Sequence, residues 1–210
     1  MPRAADGQED SGMVAVRKSS SSGMTVAEFL DWNGDGTDTR YELVNGEPRA
    51  MALASITHGI LQSTVARLIG NHLADRAPGC HVVTAPGVQP RVRSSHNMRI
   101  PDLGVTCTPD ERGLRTLPDP VLLIEILSLS NEAETWENVW TYTTLPSVRE
   151  ILVLWTAGVG AELLRRQGDG SWPECPQVIV GDEVLALDSI GYQAPLRTLY
   201  VGTHLVRPPD

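Results

Sequence analysis

One stretch constrains the fold more than any other: Pro120-Val121-Leu122-Leu123-Ile124-Glu125-Ile126-Leu127-Ser128. Seven of its nine residues are aliphatic or proline, and one is a carboxylate. A run apolar on both alternating faces reads as a strand covered on both sides, in the centre of a sheet. Glu125 breaks the pattern, because strict alternation puts it on one face with Val121, Leu123 and Leu127. An ionised carboxylate there is costly unless it is paired or binds a metal. A metal-dependent site is therefore expected at Glu125, and the rest of the chain must supply its partners.

The flanking elements follow from local signals. Residues 1–23 carry Gly, Ser and mixed charges without an apolar period, which predicts a disordered tail ahead of a single domain over 24–205. Thr25-Val26-Ala27-Glu28 has capping-box spacing and opens a short helix to about Trp32. Asn45-Gly46 predicts a tight hairpin joining Arg40–Val44 to Glu47–Leu53. Ser55 caps a long helix to about Arg76, with Ile56, Ile60, Leu61, Val65, Leu68, Ile69 and Leu73 at helical spacing. Strands are expected over 80–84, 88–92 and 101–106, then the Glu125 strand, a helix over 131–144, and a strand over 148–155. The remainder reads as β-hairpins over 161–167, 177–180 and 183–187. The order implies an α/β fold, a mixed β-sheet flanked by helices with C-terminal β-hairpins.

Composition excludes several function classes. No apolar run approaches a membrane span, so no membrane partner is expected. The N-terminus lacks an apolar signal region. Cys80, Cys107 and Cys175 are odd in number and unpaired in spacing, which argues against a disulfide framework or a zinc site and for a reducing, cytoplasmic compartment. The net charge of −9 opposes non-specific attraction to nucleic acid without excluding a local basic groove. Arginine supplies 16 of the 17 basic residues, and the one lysine, Lys18, lies in the tail.

Two carboxylates can join Glu125. Asp102 follows a proline at the start of a predicted strand one loop away, and Glu42 sits in an otherwise apolar hairpin strand. Three carboxylates facing one point suit a hard divalent cation, Mg²⁺ or Mn²⁺ in its place. Such an ion lowers the pKa of a bound water and polarises a phosphodiester oxygen. An Asp after Pro also caps turns, and a hairpin Glu also faces solvent. Glu125 alone has no wet face to explain it.

Five segments in order, Tyr41-Glu42-Leu43-Val44-Asn45-Gly46-Glu47, Thr57-His58-Gly59, Pro101-Asp102, Ile124-Glu125-Ile126-Leu127-Ser128 and Val148-Arg149-Glu150-Ile151, resemble the Uma-two family of restriction-endonuclease-like proteins, part of the PD-(D/E)XK nuclease-like group. The resemblance covers about residues 24 to 167. It implies a restriction-endonuclease-like fold, a Mg²⁺-dependent DNA endonuclease activity, and an active site at Glu42, Asp102 and Glu125, with Asp102 and Glu125 as metal ligands. It also implies that His58, in the first turn of the long helix, contacts a substrate phosphate. Family members usually carry a lysine four residues before the tyrosine matched here by Tyr142; Asn138 stands in its place, as a substrate-side polar group without charge. Leu129 replaces the usual proline, Glu134 stands where an aspartate is common, and Leu127 occupies the position of the shorter ExK form. Loss of one electrostatic donor costs about two or more orders of magnitude in rate. Arg99 is a poor substitute, since alternation puts it on the opposite face from Asp102.

Three functions therefore stand side by side: an endonuclease; a degenerate nuclease fold acting as a binding or assembly module; and a calcium-binding protein. The last rests on Asp31-Trp32-Asn33-Gly34-Asp35-Gly36 with Glu42 six residues on, a literal calcium-loop pattern. The predicted hairpin after it, and Asp38 at its usually aliphatic eighth position, oppose that reading. Ser128 and Ser130 read as a cap of the next helix rather than nucleophiles. His72, His81, His96 and His204 lack ligand spacing. Nucleases of this group often dimerise, and Trp136 and Trp140, four apart on one helix, are candidates for such an interface.

Overall fold

The computed structural model describes residues 23–128 and 131–206, so the expected tail (apart from Gly23), Leu129 and Ser130 lie outside the described residues. A capping box at Thr25 and Glu28 opens α1 (Val26–Asp31). Strands β1 (Tyr41–Val44) and β2 (Glu47–Ala50) form a two-stranded hairpin. Asn45 and Gly46 both take positive φ, 53° and 89°, the conformation a two-residue primed turn requires. Helix α2 (Ile56–Arg76) starts at Ser55, whose hydroxyl accepts the His58 amide, and buries Leu61, Val65, Ile69 and Leu73 at fourfold spacing. Ile56 lies off that stripe and is exposed.

The central sheet holds six strands: β3 (His81–Thr84), β4 (Leu103–Thr106), β5 (Pro120–Leu127), β6 (Glu150–Trp155), β7 (Gly160–Arg165) and β8 (Gln177–Val180), neighbours in that order. Its one parallel pair is β5 with β6, joined through α3 (Glu132–Tyr142); the other pairs are antiparallel. A second hairpin, β9 (Val184–Leu187) with β10 (Tyr192–Pro195), packs on the α2 side. The architecture is the expected mixed α/β sheet with C-terminal strand hairpins.

The strand around Glu125 divides its side chains between two cores. Leu122, Ile124 and Ile126 join α2 and the C-terminal hairpin, while Leu123 and Leu127 join Val139 and Tyr142 of α3. Glu125 lies on the α3 side, hydrogen-bonded to Tyr142. Val121 is a correction: it packs with the α2 core, not on the face of Glu125. The register against β4 slips at that point, with Val105 opposite Leu122 and Thr106 opposite Pro120, and such a bulge breaks strict alternation.

Three further expectations change. The segment 88–92 is not a strand and contributes only a Val88–Arg99 bridge; Pro90 has no N–H for a ladder, and Arg93 turns the chain at φ 45°. The segments 161–167 and 177–180 do pair as an antiparallel hairpin, β7 with β8 at the edge of the central sheet, but β9 pairs with β10, a strand the sequence reading missed. Cys80 and Cys107 form a disulfide, against the reading of three unpaired thiols. Their sequence separation of 27 carries no motif, but His81 pairs with Thr106, so Cys80 and Cys107 are the next opposed positions of the same ladder. Cys175 is free and exposed. Among the described residues no helix is long and apolar enough to cross a membrane.

Candidate active site

A cavity of about 620 Å³ opens where the start of α2, the β1–β2 hairpin and α3 meet the β4–β5 edge of the sheet; Glu42, His58, Asp102, Glu125 and Asn138 all line it. These are the five candidate residues of the sequence, drawn from five separate elements or their flanks.

Asp102 sits one residue before β4, where no ladder claims its side chain. One carboxylate oxygen accepts the Ile126 amide at 2.7 Å, and the other lies 2.7 Å from His58 Nε2. Four residues along the same helix, Gln62 donates to the Asp102 carbonyl at 2.9 Å. Positions i and i+4 share a helix face, so α2 grips Asp102 at both its side chain and its backbone. His58 is thus a partner of Asp102, with the Nε2 proton placed between them.

Glu125 is 7% exposed and accepts the Tyr142 hydroxyl at 2.7 Å. Burial, then the negative charge of Asp102, push its carboxyl well above the usual glutamate range. The Tyr142 hydrogen bond pulls the other way, and Glu42 adds a smaller repulsion. Burial, then the charge of Glu125, raise the Tyr142 hydroxyl well above its ordinary value too. Among the described residues no arginine forms an ion pair with Asp102 or Glu125.

Glu42 faces the same cavity but is already engaged. Arg49 grips one oxygen with Nε at 2.9 Å and Nη2 at 2.5 Å, and Asn138 Nδ2 donates to the other at 3.3 Å. Among the described residues, no three His, Cys, Asp or Glu side chains form a group able to hold a metal. The candidate metal-holding set is therefore two carboxylates, Asp102 and Glu125. Two hard oxygen donors in a roomy cavity fit Mg²⁺, which keeps several waters and is commonly held by one or two carboxylates plus substrate phosphate.

The calcium-loop residues do not converge. Asp31 pairs with Arg115, Asp35 bonds Thr37 and Tyr41, and Glu42 turns to Arg49. His72 Nε2 donates to the Ile190 carbonyl in the C-terminal packing, and Ser128 donates to Asn131 at the start of α3. Trp140 is exposed beside Trp136. Arg99, placed by alternation away from Asp102, is buried and reaches Glu137 and the Leu43 carbonyl instead.

Sequence reasoning missed Arg49, Gln62 and Glu137, and it gave Tyr142 no role. For Arg49 a signal existed: a two-residue Asn-Gly turn sets the register, and that register puts Arg49 directly opposite Glu42. Tyr142 lies four residues after Asn138, on the same helix face.

Comparison with known proteins gives two positive findings. The family model Uma2, described as "Putative restriction endonuclease", matches residues 26–197. Among solved structures, the fold is similar to a protein of Anabaena variabilis ATCC 29413 described as a "putative nuclease belonging to DUF820", with a TM-score of 0.67 at 16% identity, over 84% of this chain and 97% of that one. No curated protein matches.

Proposed function

Since the chain belongs to the Uma2 family, we propose that it is a Mg²⁺-dependent DNA endonuclease whose metal is held by Asp102 and Glu125. The observation that carries this is the pair itself: two carboxylates, one on β5 and one immediately before its neighbour β4, line one cavity, and their mutual repulsion is relieved by no arginine among the described residues. Burying such a pair is a cost with no structural return unless a cation shares it.

A bound Mg²⁺ would polarise the scissile phosphate and acidify a water. The chain's own residues prepare the place. His58 and the Ile126 amide fix both oxygens of Asp102, and Tyr142 fixes one oxygen of Glu125. Asn138 and Glu42 also line the cavity, where an amide and a carboxylate can orient water. Arg40, exposed at the cavity and without an ion-pair partner among the described residues, is available to a phosphate. DNA as substrate, Mn²⁺ as an alternative ion, and a dimer using Trp136 and Trp140 belong to the same proposal.

The test is plasmid cleavage with Mg²⁺ or Mn²⁺. Wild type should nick or linearise DNA, and Asp102→Ala and Glu125→Ala should each abolish this. Cleavage that persists in both variants would come from a contaminant and would remove the proposal. A second reading, a degenerate fold used for binding, is favoured by one observation: an uncharged Asn138 stands where a lysine is usual. It predicts DNA binding or self-association without cleavage, unaltered by Glu125→Ala.

A further inference from the structure

We propose that Arg49, on β2, is the positioning cation of this site, supplying from the hairpin the positive charge that α3 does not carry at position 138. This inference rests on the endonuclease proposal above. Of the five carboxylates lining the cavity (Asp38, Glu42, Asp102, Glu125 and Glu134), only Glu42 is paired with an arginine among the described residues, and that arginine is Arg49. Its guanidinium also reaches Asn138 Oδ1 at 3.3 Å, while Asn138 Nδ2 donates to Glu42. Arg49, Glu42 and Asn138 thus close a triangle in which each contacts the other two.

Strand register and a charge ladder hold the triangle. Arg49 is the cross-strand partner of Glu42, which fixes the direction of its side chain. Its third nitrogen meets Glu137 at 2.8 Å, and the other oxygen of Glu137 meets Arg99 at 3.2 Å. Glu42, Arg49, Glu137 and Arg99 therefore alternate in sign and sum to zero. Arg99 is 2% exposed and lends its carboxylate partner an anchor that cannot drift into solvent. Burial opposes the charge on Arg49, but the hydrogen bonds from Glu42 and Glu137 outweigh it.

The consequence concerns Glu42, which is 5% exposed. Without Arg49 it would be one more carboxylate in the cavity with no arginine partner, free to turn toward Asp102 and Glu125. With Arg49 its carboxylate is held by Arg49 on one oxygen and Asn138 on the other, away from the pair. A lysine at 138 would bring its ammonium to the same carboxylate.

The experiment is a double-mutant cycle on the full chain with Arg49→Met, Asn138→Lys and the double variant, plus Arg49→Lys. Thermal melts and Mg²⁺-dependent plasmid cleavage are read for each, with Asp102→Ala as control. Arg49→Met should lower kcat at least about tenfold with little change in KM, and the double variant should recover most of that loss. Arg49→Lys should retain more rate than Arg49→Met, which keeps the test open if Arg49→Met folds poorly. Recovery of the melting temperature without recovery of kcat in the double variant would make Arg49 structural and overturn the assignment. So would wild-type kcat in a folded Arg49→Met. Wild type no more active than Asp102→Ala would instead remove the endonuclease proposal, and the catalytic role of Arg49 with it.

Discussion

Replacing Glu125 by glutamine should stabilise the metal-free protein, and by more at pH 8 than at pH 5. The side chain is nearly fully buried, keeps one hydrogen bond to Tyr142, and faces the negative charge of Asp102. Its folded pKa is raised well above the ordinary 4.5. Between 4.5 and the folded value, the folded chain holds a proton that the unfolded chain has released. Stability therefore falls as pH rises through that window, by about 1.4 kcal/mol per pH unit, and levels off above the folded value. Glutamine has no such proton to lose, keeps an oxygen for Tyr142, and no longer repels Asp102. For a chain of this size the gap between the two proteins should open by about 3–6 °C in melting temperature per pH unit inside the window.

The assay is calorimetry or circular-dichroism melting from pH 5 to pH 8, in EDTA, on wild type and Glu125→Gln. Repetition with saturating Mg²⁺ or Mn²⁺ should reverse the ranking, because a ligand that binds only the folded state stabilises the wild type and has lost one of its two carboxylates in the variant. Melting temperatures that run parallel across the whole pH range would refute the reasoning: Glu125 would then ionise as freely in the fold as outside it. A wild type unaffected by metal would leave the pH effect intact but remove the metal assignment.

Tyr142→Phe removes the hydroxyl that holds Glu125; it should cost about 1–3 kcal/mol in urea unfolding and shift any Mg²⁺-dependent activity to higher pH, and an unchanged midpoint would show the bond to be idle. Cys80→Ser with Cys107→Ser opens a loop of separation 27 and should lower stability by about 3–4 kcal/mol under oxidising conditions only, so an equal loss in the presence of dithiothreitol would contradict a chain-entropy effect. A Cβ at Gly160 would run into the Trp155 ring, which is too rigid to yield at its far end; Gly160→Ala should cost about 1–3 kcal/mol by denaturant unfolding, and a neutral result would mean that the ring repacks.

Much of the fold was readable because its signals are local. A capping box, an Asn-Gly turn and a fourfold apolar stripe each specify an element from within a few residues, and α1, the first hairpin and α2 follow them closely. The failures are non-local. Whether β9 pairs with β8 or with β10 depends on where β10 folds, and no residue of 177–187 encodes that. The pairing of Cys80 with Cys107 is a property of the β3–β4 register, invisible until the two strands are known to be adjacent.

The site divides along the same line, which bears on its chemistry. Its negative half announces itself, because a carboxylate in an apolar strand contradicts its surroundings; Glu125 and then Asp102 can be found that way. Its positive half does not, because Arg49 lies on a half-exposed hairpin strand where an arginine contradicts nothing. Arg49 meets Asn138 across a sequence distance of 89, and only folding brings the two together. A missing lysine at one position therefore says little about the charge at the site. What matters is whether any cation reaches the same carboxylate, and here the opposing strand of the hairpin delivers one to Glu42, while Asp102 and Glu125 have no arginine partner among the described residues.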